Sequence, residues 1–486
     1  MLFNSYEFIL VFLPITLLGF FLIGNYSHST ALLWLAITSL FFYAWWDIQF
    51  VPLLLVSILF NYGLSKLIKH YFQDQRTKNR LLILGLIFNL GLILFYKYWS
   101  LLLDILGLVS LNKLSSINLD LTLPIGISFY TFTQLAFLVD TWRGTANPQN
   151  NIQKYFLFVT YFPHLIAGPV LHHAKMIPQF NSPRIFKINY DSLAVGLTVF
   201  ALGLSKKVLI ADPLGEYANT FFSGVAGGQI AYLATSWIGT ISYALQIYFD
   251  FSAYSDMAIG ISLMFGIRLP INFNSPYQAT SLIDFWRRWH ISLSDFLRDY
   301  LYIPLGGNRL GHIRRYTNLL ITMALGGLWH GANWTFLLWG LIHGVCLASN
   351  HFIKNYWRLN IKHILFRFLG WLITMLIVLI SWVMFRADNL NTALHIYGGM
   401  LGINGSTNNS FDWIVIQSSH NIFWQTLLIA ILIAVKGPNL NSLILNGLSH
   451  IQSNTKKVLL AIAAGTLLCI SLLSLHKISH FLYFQF

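Results

Sequence analysis

The chain has 486 residues, of which 56% are hydrophobic and 9% charged, and it carries a formal excess of 14 positive charges. Its mean hydropathy of +0.62 lies outside the range of water-soluble domains and marks a membrane protein. The basic residues sit in short segments between apolar runs, which excludes nucleic-acid binding. The two cysteines, Cys346 and Cys469, lie in apolar stretches, which excludes a disulfide framework or a cysteine metal site.

In chain order, Phe8 to Gly24, Thr30 to Trp46 and Ile48 to Ser65 contain no charge and are each long enough for a membrane-spanning helix of roughly 20 residues. No Lys or Arg precedes Lys66, so the first run is expected to be a span rather than a signal peptide. The connection Lys66 to Arg80 holds Lys66, Lys69, Arg76, Lys78 and Arg80 against Asp74. The positive-inside rule puts it in the cytoplasm and the N-terminus outside. Another span is predicted at Leu81 to Tyr96.

"LPIGISFYTF" (123–132) and "YFPHLIAGPVL" (161–171) are apolar but interrupted by Pro and Gly. Broken backbone at membrane depth is tolerated only where protein or water satisfies it, so these segments are expected to line an interior. Further spans are predicted at Asp191 to Gly203, Gln229 to Tyr248, Thr317 to Ser349 (a tilted helix or a helix pair), Leu365 to Phe385, Asn421 to Val435 and Val458 to Leu475. The expected fold is an all-α polytopic membrane protein with about ten to twelve spans, plus re-entrant and amphipathic helices. No internal repeat is evident, and residues 1–486 read as a single membrane domain.

The stretch "DFWRRWHISLSDFLRDYLYIPLGGNR" concentrates Asp284, Arg287, Arg288, Asp295, Arg298, Asp299 and Arg309 around His290. Phe285, Trp289, Leu293, Phe296 and Tyr300 recur at helical spacing, which predicts one amphipathic helix. A helix that only rests on lipid needs positive charge alone. Aspartates among the arginines fix them in place, as a phosphate ligand requires.

A second feature is His330 in "LGGLWHGANW", inside an uncharged run beginning at Thr317. An ionisable residue at membrane depth is a functional candidate, although a packed helix-bridging histidine is the plainer alternative. Gly326, Gly327 and Gly331 leave room for a close approach. A neutral imidazole there is free to accept a proton, as a general base for a hydroxyl group must. Asp250 and its neighbours in "LQIYFDFSAYSDMAIG" can pair with an arginine, orient a histidine or form a structural ion pair. His164, His172 and His173 come without an HExxH or a cysteine pair, so no metal site is expected.

At these residues the chain resembles the membrane-bound O-acyltransferase (MBOAT) family, in particular its bacterial alginate O-acetyltransferase branch. The resemblance is carried by "MLFNSYEFILVFLPI", "PIGISFYTF", "FPHLIAGPV" with "PQF", "LSKKVLIAD", "LQIYFDFSAYSDMAIG", "FWRRWHISLSDFLRDYLYIPLGGNR", "LGGLWHGANWTFLLWG" and "FRADNLNTAL". It covers residues 1–401, and 402–486 match nothing beyond hydrophobicity. It implies a ring of helices around a central tunnel, with His330 as the near-invariant intramembrane histidine and His290 as the second one.

The implied activity is transfer of an acetyl group from a cytoplasmic thioester, with acetyl-CoA as co-substrate and no bound cofactor, toward an exopolysaccharide such as alginate. Arg287, Arg288, Arg298, Lys206 and Lys207 are the expected donor-binding residues, and Asp284, Asp250 and Asn333 the supporting ones. The implied setting is a bacterial inner membrane, with a periplasmic or membrane-anchored SGNH-type transferase as partner. One departure is "AGPVLHHAKMIPQF", where alginate-type members commonly have an arginine after "AGP". The alternatives are D-alanine transfer to teichoic acid from a carrier-protein thioester, and a lipid or sugar flippase without chemistry.

Overall fold

The computed structural model describes residues 1–105, 122–146, 151–166, 168–356, 363–406, 420–448, 451, 453–475, 481 and 482, and among these there is no strand. Among the described residues, seven helices are long and apolar enough to cross a membrane: Glu7–Gly24, Ile48–His70, Gln75–Lys97, Tyr190–Ala226, Trp334–Lys354, Ile364–Arg386 and Asn454–Leu473. Two shorter apolar helices, His28–Ala44 and Phe423–Lys436, accompany them. The protein is an all-α, multi-pass membrane protein.

Two helices run far beyond their predicted ends. Asp191 to Gly203 belongs to an apolar helical run of 37 residues, Tyr190–Ala226, and the predicted span Gln229 to Tyr248 falls, from Leu233 onward, in a helix of 32 residues, Leu233–Met264. Lys207 and Asp250, charges just beyond the predicted C-terminal ends, lie 2.6 Å apart as a buried ion pair. Each supplies the counter-charge that lets the other helix continue into apolar surroundings.

The chain forms two compact units. The first comprises Met1–Ala201, Ser255–Pro270 and Ser442–Gly465. Here Val51–His70 and Gln75–Lys97 are joined by a short turn whose Asp74 carboxylate accepts the Arg76 and Thr77 N–H groups at 3.0 and 3.3 Å. Mid-helix, Asn61 and Asn89 exchange hydrogen bonds of 3.1 and 2.7 Å with both side chains fully buried. Gln134 adds a third helix by donating to Ser57 at 2.9 Å. Such polar bonds hold helices together where lipid removes the hydrophobic drive.

The two interrupted segments meet in this unit. Helix Ile127–Arg143 starts at Gly126, which has φ 72° and sits so close to the Leu165 carbonyl that a Cβ would come within 2.8 Å of it. Phe162, Pro163, His164 and Leu165 are buried, as expected for segments that face protein rather than lipid. His164 Nε2 lies 3.0 Å from the Phe158 carbonyl, a satisfied packing histidine.

The second unit comprises Leu202–Tyr254, Ile271–Asn441 and Thr466–Phe486. Its core is aromatic, built from Tyr277, Phe285, Trp289, Trp339, Trp382 and Phe385 among others. The predicted candidates all fall in this unit.

Candidate active site

The run from Thr317 resolves into a helix pair, His312–His330 and Trp334–Tyr356. Glycines let the two backbones touch: a Cβ on Gly327 would stand 2.2 Å from the Phe336 carbonyl, and one on Gly340 equally close to that of Met323. Gly327→Ala is therefore expected to cost about 2–3 kcal/mol as an overpacking substitution, whereas Gly326→Ala, facing only Leu297 at 3.1 Å, stays below about 1 kcal/mol. Thermal unfolding of the two variants checks this.

His330 is the last residue of the first helix, and the turn that follows is fixed by Asn333. Its carboxamide accepts from Thr335 N–H at 3.1 Å and donates to the Asp388 carbonyl at 2.8 Å. Asn333 thus acts as an N-cap and a tie, holding His330 at the turn. The His330 ring is buried among Trp329, Trp339 and Phe385, with centroids at 4.8, 5.4 and 5.0 Å.

The predicted amphipathic helix is broken in two, Leu282–Trp286 and Ile291–Leu297, and the break falls at His290, with φ 44° and ψ 56°. Asn272 and Asn274 explain it. The Asn272 carbonyl accepts from Ile291 N–H at 2.9 Å, and Asn274 N–H donates to the Arg288 carbonyl at 2.9 Å. His290 Nδ1 lies 3.1 Å from Asn272 Oδ1, which also accepts from the Ser292 hydroxyl at 2.9 Å. Since a carboxamide oxygen only accepts, Nδ1 carries the proton and Nε2 the lone pair. Asn272 orients this histidine, while Asp284 and Asp250, expected as supporting residues, pair with Arg288 and Lys207.

Complete burial pushes the His290 imidazolium down to about 3. From the ordinary value near 6.5 down to that point the unfolded chain takes up a proton that the folded chain refuses, so acid destabilises the fold across this window. Nitrogen-15 spectra of histidine-labelled protein should show His290 neutral, with its proton on Nδ1, at pH 5; an imidazolium at that pH would contradict the assignment. His290 and His330 both pack on Trp329, at 6.2 and 4.8 Å between centroids.

The charged residues divide into three groups. Arg288 is held by Asp284 at 2.9 Å, and Arg298 by Asp295 and Asp299, each at 2.7 Å. Lys207 is enclosed: its ammonium lies 2.7 Å from Asp212 and 2.6 Å from Asp250, over the Phe481 ring, and Asp250 also accepts from Leu482 N–H. That carboxylate and that lysine serve one buried network. Lys206, half-buried, bonds the Ser252 hydroxyl at 3.3 Å.

Arg287 forms the third group, exposed and, among the described residues, with no carboxylate in ion-pair range. Its charge reaches His351 together with those of Arg315 and Lys354, and Arg315 bonds the His351 ring. Sequence reasoning missed this convergence, because it spans 67 positions.

It also missed His343. This fully buried ring accepts from the Trp286 indole N–H at 3.3 Å and faces the Ser381 hydroxyl at 2.9 Å; that hydroxyl donates onward to the Val378 carbonyl at 2.8 Å. Its centroid is 4.8 Å from Trp339, itself part of the wall around His330. The only signal in the sequence was a histidine 13 positions after His330 in an apolar run.

A sequence profile of the membrane-bound O-acyltransferase family matches residues 21–396. The chain is 42% identical over 431 residues to the peptidoglycan O-acetyltransferase of Helicobacter pylori, covering 83% of this chain and 80% of the relative. It is also 42% identical over 402 residues to the probable alginate O-acetylase AlgI of Pseudomonas aeruginosa, covering 82% and 75%. The teichoic acid D-alanyltransferase of Bacillus subtilis is 25% identical over 241 residues, covering 48% and 60%. The chain belongs to the membrane-bound O-acyltransferase family and is an O-acyltransferase.

Proposed function

We propose that this enzyme takes an acetyl group from acetyl-CoA in the cytoplasm and passes it across a bacterial inner membrane toward hydroxyl groups of a cell-envelope glycan. Alginate or a related surface polymer is the acceptor class, and an SGNH-type transferase outside is the partner that completes the modification. The observation carrying this reading is a buried histidine, His330, boxed by Trp329, Trp339 and Phe385 at a glycine-lined helix turn in a chain of this family. The O-acetyltransferase names of relatives at 42% identity support acetyl as the group and a glycan as acceptor. The D-alanyltransferase reading rests on a match to about half of the chain.

In this mechanism the hydroxyl oxygen attacks the thioester carbonyl carbon while His330 takes the hydroxyl proton. A carbon–oxygen bond forms, the carbon–sulfur bond breaks, and the proton passes to the departing thiolate, giving free thiol and an ester. His290, oriented by Asn272, presents Nε2 as an acceptor for positioning the reactants. Arg287, Arg288 and Arg298, with Lys206, meet the phosphates of the donor. Arg287 contributes most, since no carboxylate among the described residues shares its charge.

Donor binding tests the assignment. Replacing Arg287 and Arg288 together by glutamine should weaken acetyl-CoA binding by about tenfold or more, as loss of charge-assisted phosphate bonds implies. Unchanged affinity in the double variant would remove these arginines from the donor site.

A further inference from the structure

We propose that Asp140, His172 and His173 form a binding site for one divalent transition-metal ion of the zinc type. One ligand atom from each of the three lies within 4.8 Å of the others. Asp140 is the fourth residue from the end of helix Ile127–Arg143, and the histidines stand at the start of helix His173–Phe180. The nearer imidazole lies 32 positions beyond the carboxylate in sequence, which is why the histidines alone gave no ligand spacing.

The carboxylate divides its oxygens. Asp140 Oδ1 faces Arg143 at 3.7 Å, while Oδ2 faces both rings, 2.9 Å from His172 Nε2 and 3.5 Å from His173 Nδ1. His173 is 93% buried, and its Nδ1 makes no hydrogen bond. The 3.5 Å separation is too long for an N–H···O bond. An ion about 2.1 Å from each atom would bridge it at an angle of about 110°, the tetrahedral value. Two imidazoles and one carboxylate with a position left open suit zinc, cobalt or nickel over calcium or magnesium.

The site is reachable and has a defined side. The His172 side chain is 40% exposed, giving an entry path. The helix end beside it packs on the basic connection: Gly144 lies against Phe72, and Trp142 donates to Asn79 at 2.8 Å. In the ion-free chain His172 Nδ1 accepts from Ala174 N–H at 3.3 Å, so its proton is on Nε2, toward Asp140. An ion at Nε2 moves that proton to Nδ1 and releases this long bond. The bound ion ties the end of one helix to the start of the next.

The test is zinc binding to the tag-free, chelator-stripped full chain in nanodiscs, by equilibrium dialysis with elemental analysis, with cobalt absorption as a second probe. Expected is one ion per chain, a rise in melting temperature with zinc, and at least tenfold weaker binding in His172→Gln and Asp140→Asn. His172→Gln is the decisive variant, because a half-exposed side chain is replaced without opening a core. No stoichiometric ion in the wild type, or the same affinity in His172→Gln, would overturn the proposal and leave a plain histidine–aspartate hydrogen bond.

Discussion

His330→Ala is expected to lower acyl transfer by about 10²–10⁴-fold, the range that a positioned general base contributes. The ring stands at the end of its helix, held by Trp329, Trp339 and Phe385, so its loss removes the proton acceptor while those aromatic walls keep their own contacts, such as Trp339 to Phe385 at 5.1 Å. Donor affinity should therefore stay within about threefold, and the loss should fall on turnover rather than on binding. Turnover and acetyl-CoA affinity measured side by side check this. A parallel fall in both would mean that the ring builds the donor site instead of acting on the reaction.

Lys207→Met is expected to destabilise the protein by about 3–5 kcal/mol, as breaking a buried ion pair from one side does. The lysine is 2% exposed and is shared by Asp250, which is 3% exposed, and Asp212. Removing the cation leaves two carboxylates facing one another, one of them fully enclosed. The double replacement Lys207→Met with Asp250→Leu should recover part of the loss, because the stranded charge goes with its partner. Chemical or thermal unfolding in nanodiscs gives the comparison, and additive losses in the double variant would show that the two residues are not coupled.

The candidates most legible in the sequence were those whose local surroundings conflict with lipid. His330 stood out because an ionisable group in an uncharged run demands a reason, and its glycines announced the backbone contacts that Gly327 and Gly340 make. The interrupted segments around Gly126 and Leu165 were legible for the same reason. Features set by distant partners were not. The periodic stripe from Phe285 to Tyr300 continues through His290, and only Asn272 and Asn274, outside that window, break the helix there. Lys207 and Asp250 each stand just past the end of a predicted span, and 43 positions separate them. His343 was hidden because a buried histidine satisfied by Trp286 and Ser381 has no mark in a single sequence.

The most direct measurement is the fate of acetyl-labelled acetyl-CoA with the purified wild-type enzyme in nanodiscs, beside His330→Ala, with a soluble glycan bearing free hydroxyl groups as acceptor. The expected result is label leaving CoA in the wild type, with free thiol released in equal amount, and almost none leaving in the variant. Donor bound by both proteins and consumed equally by both would contradict acetyl-CoA as the donor that reacts at His330.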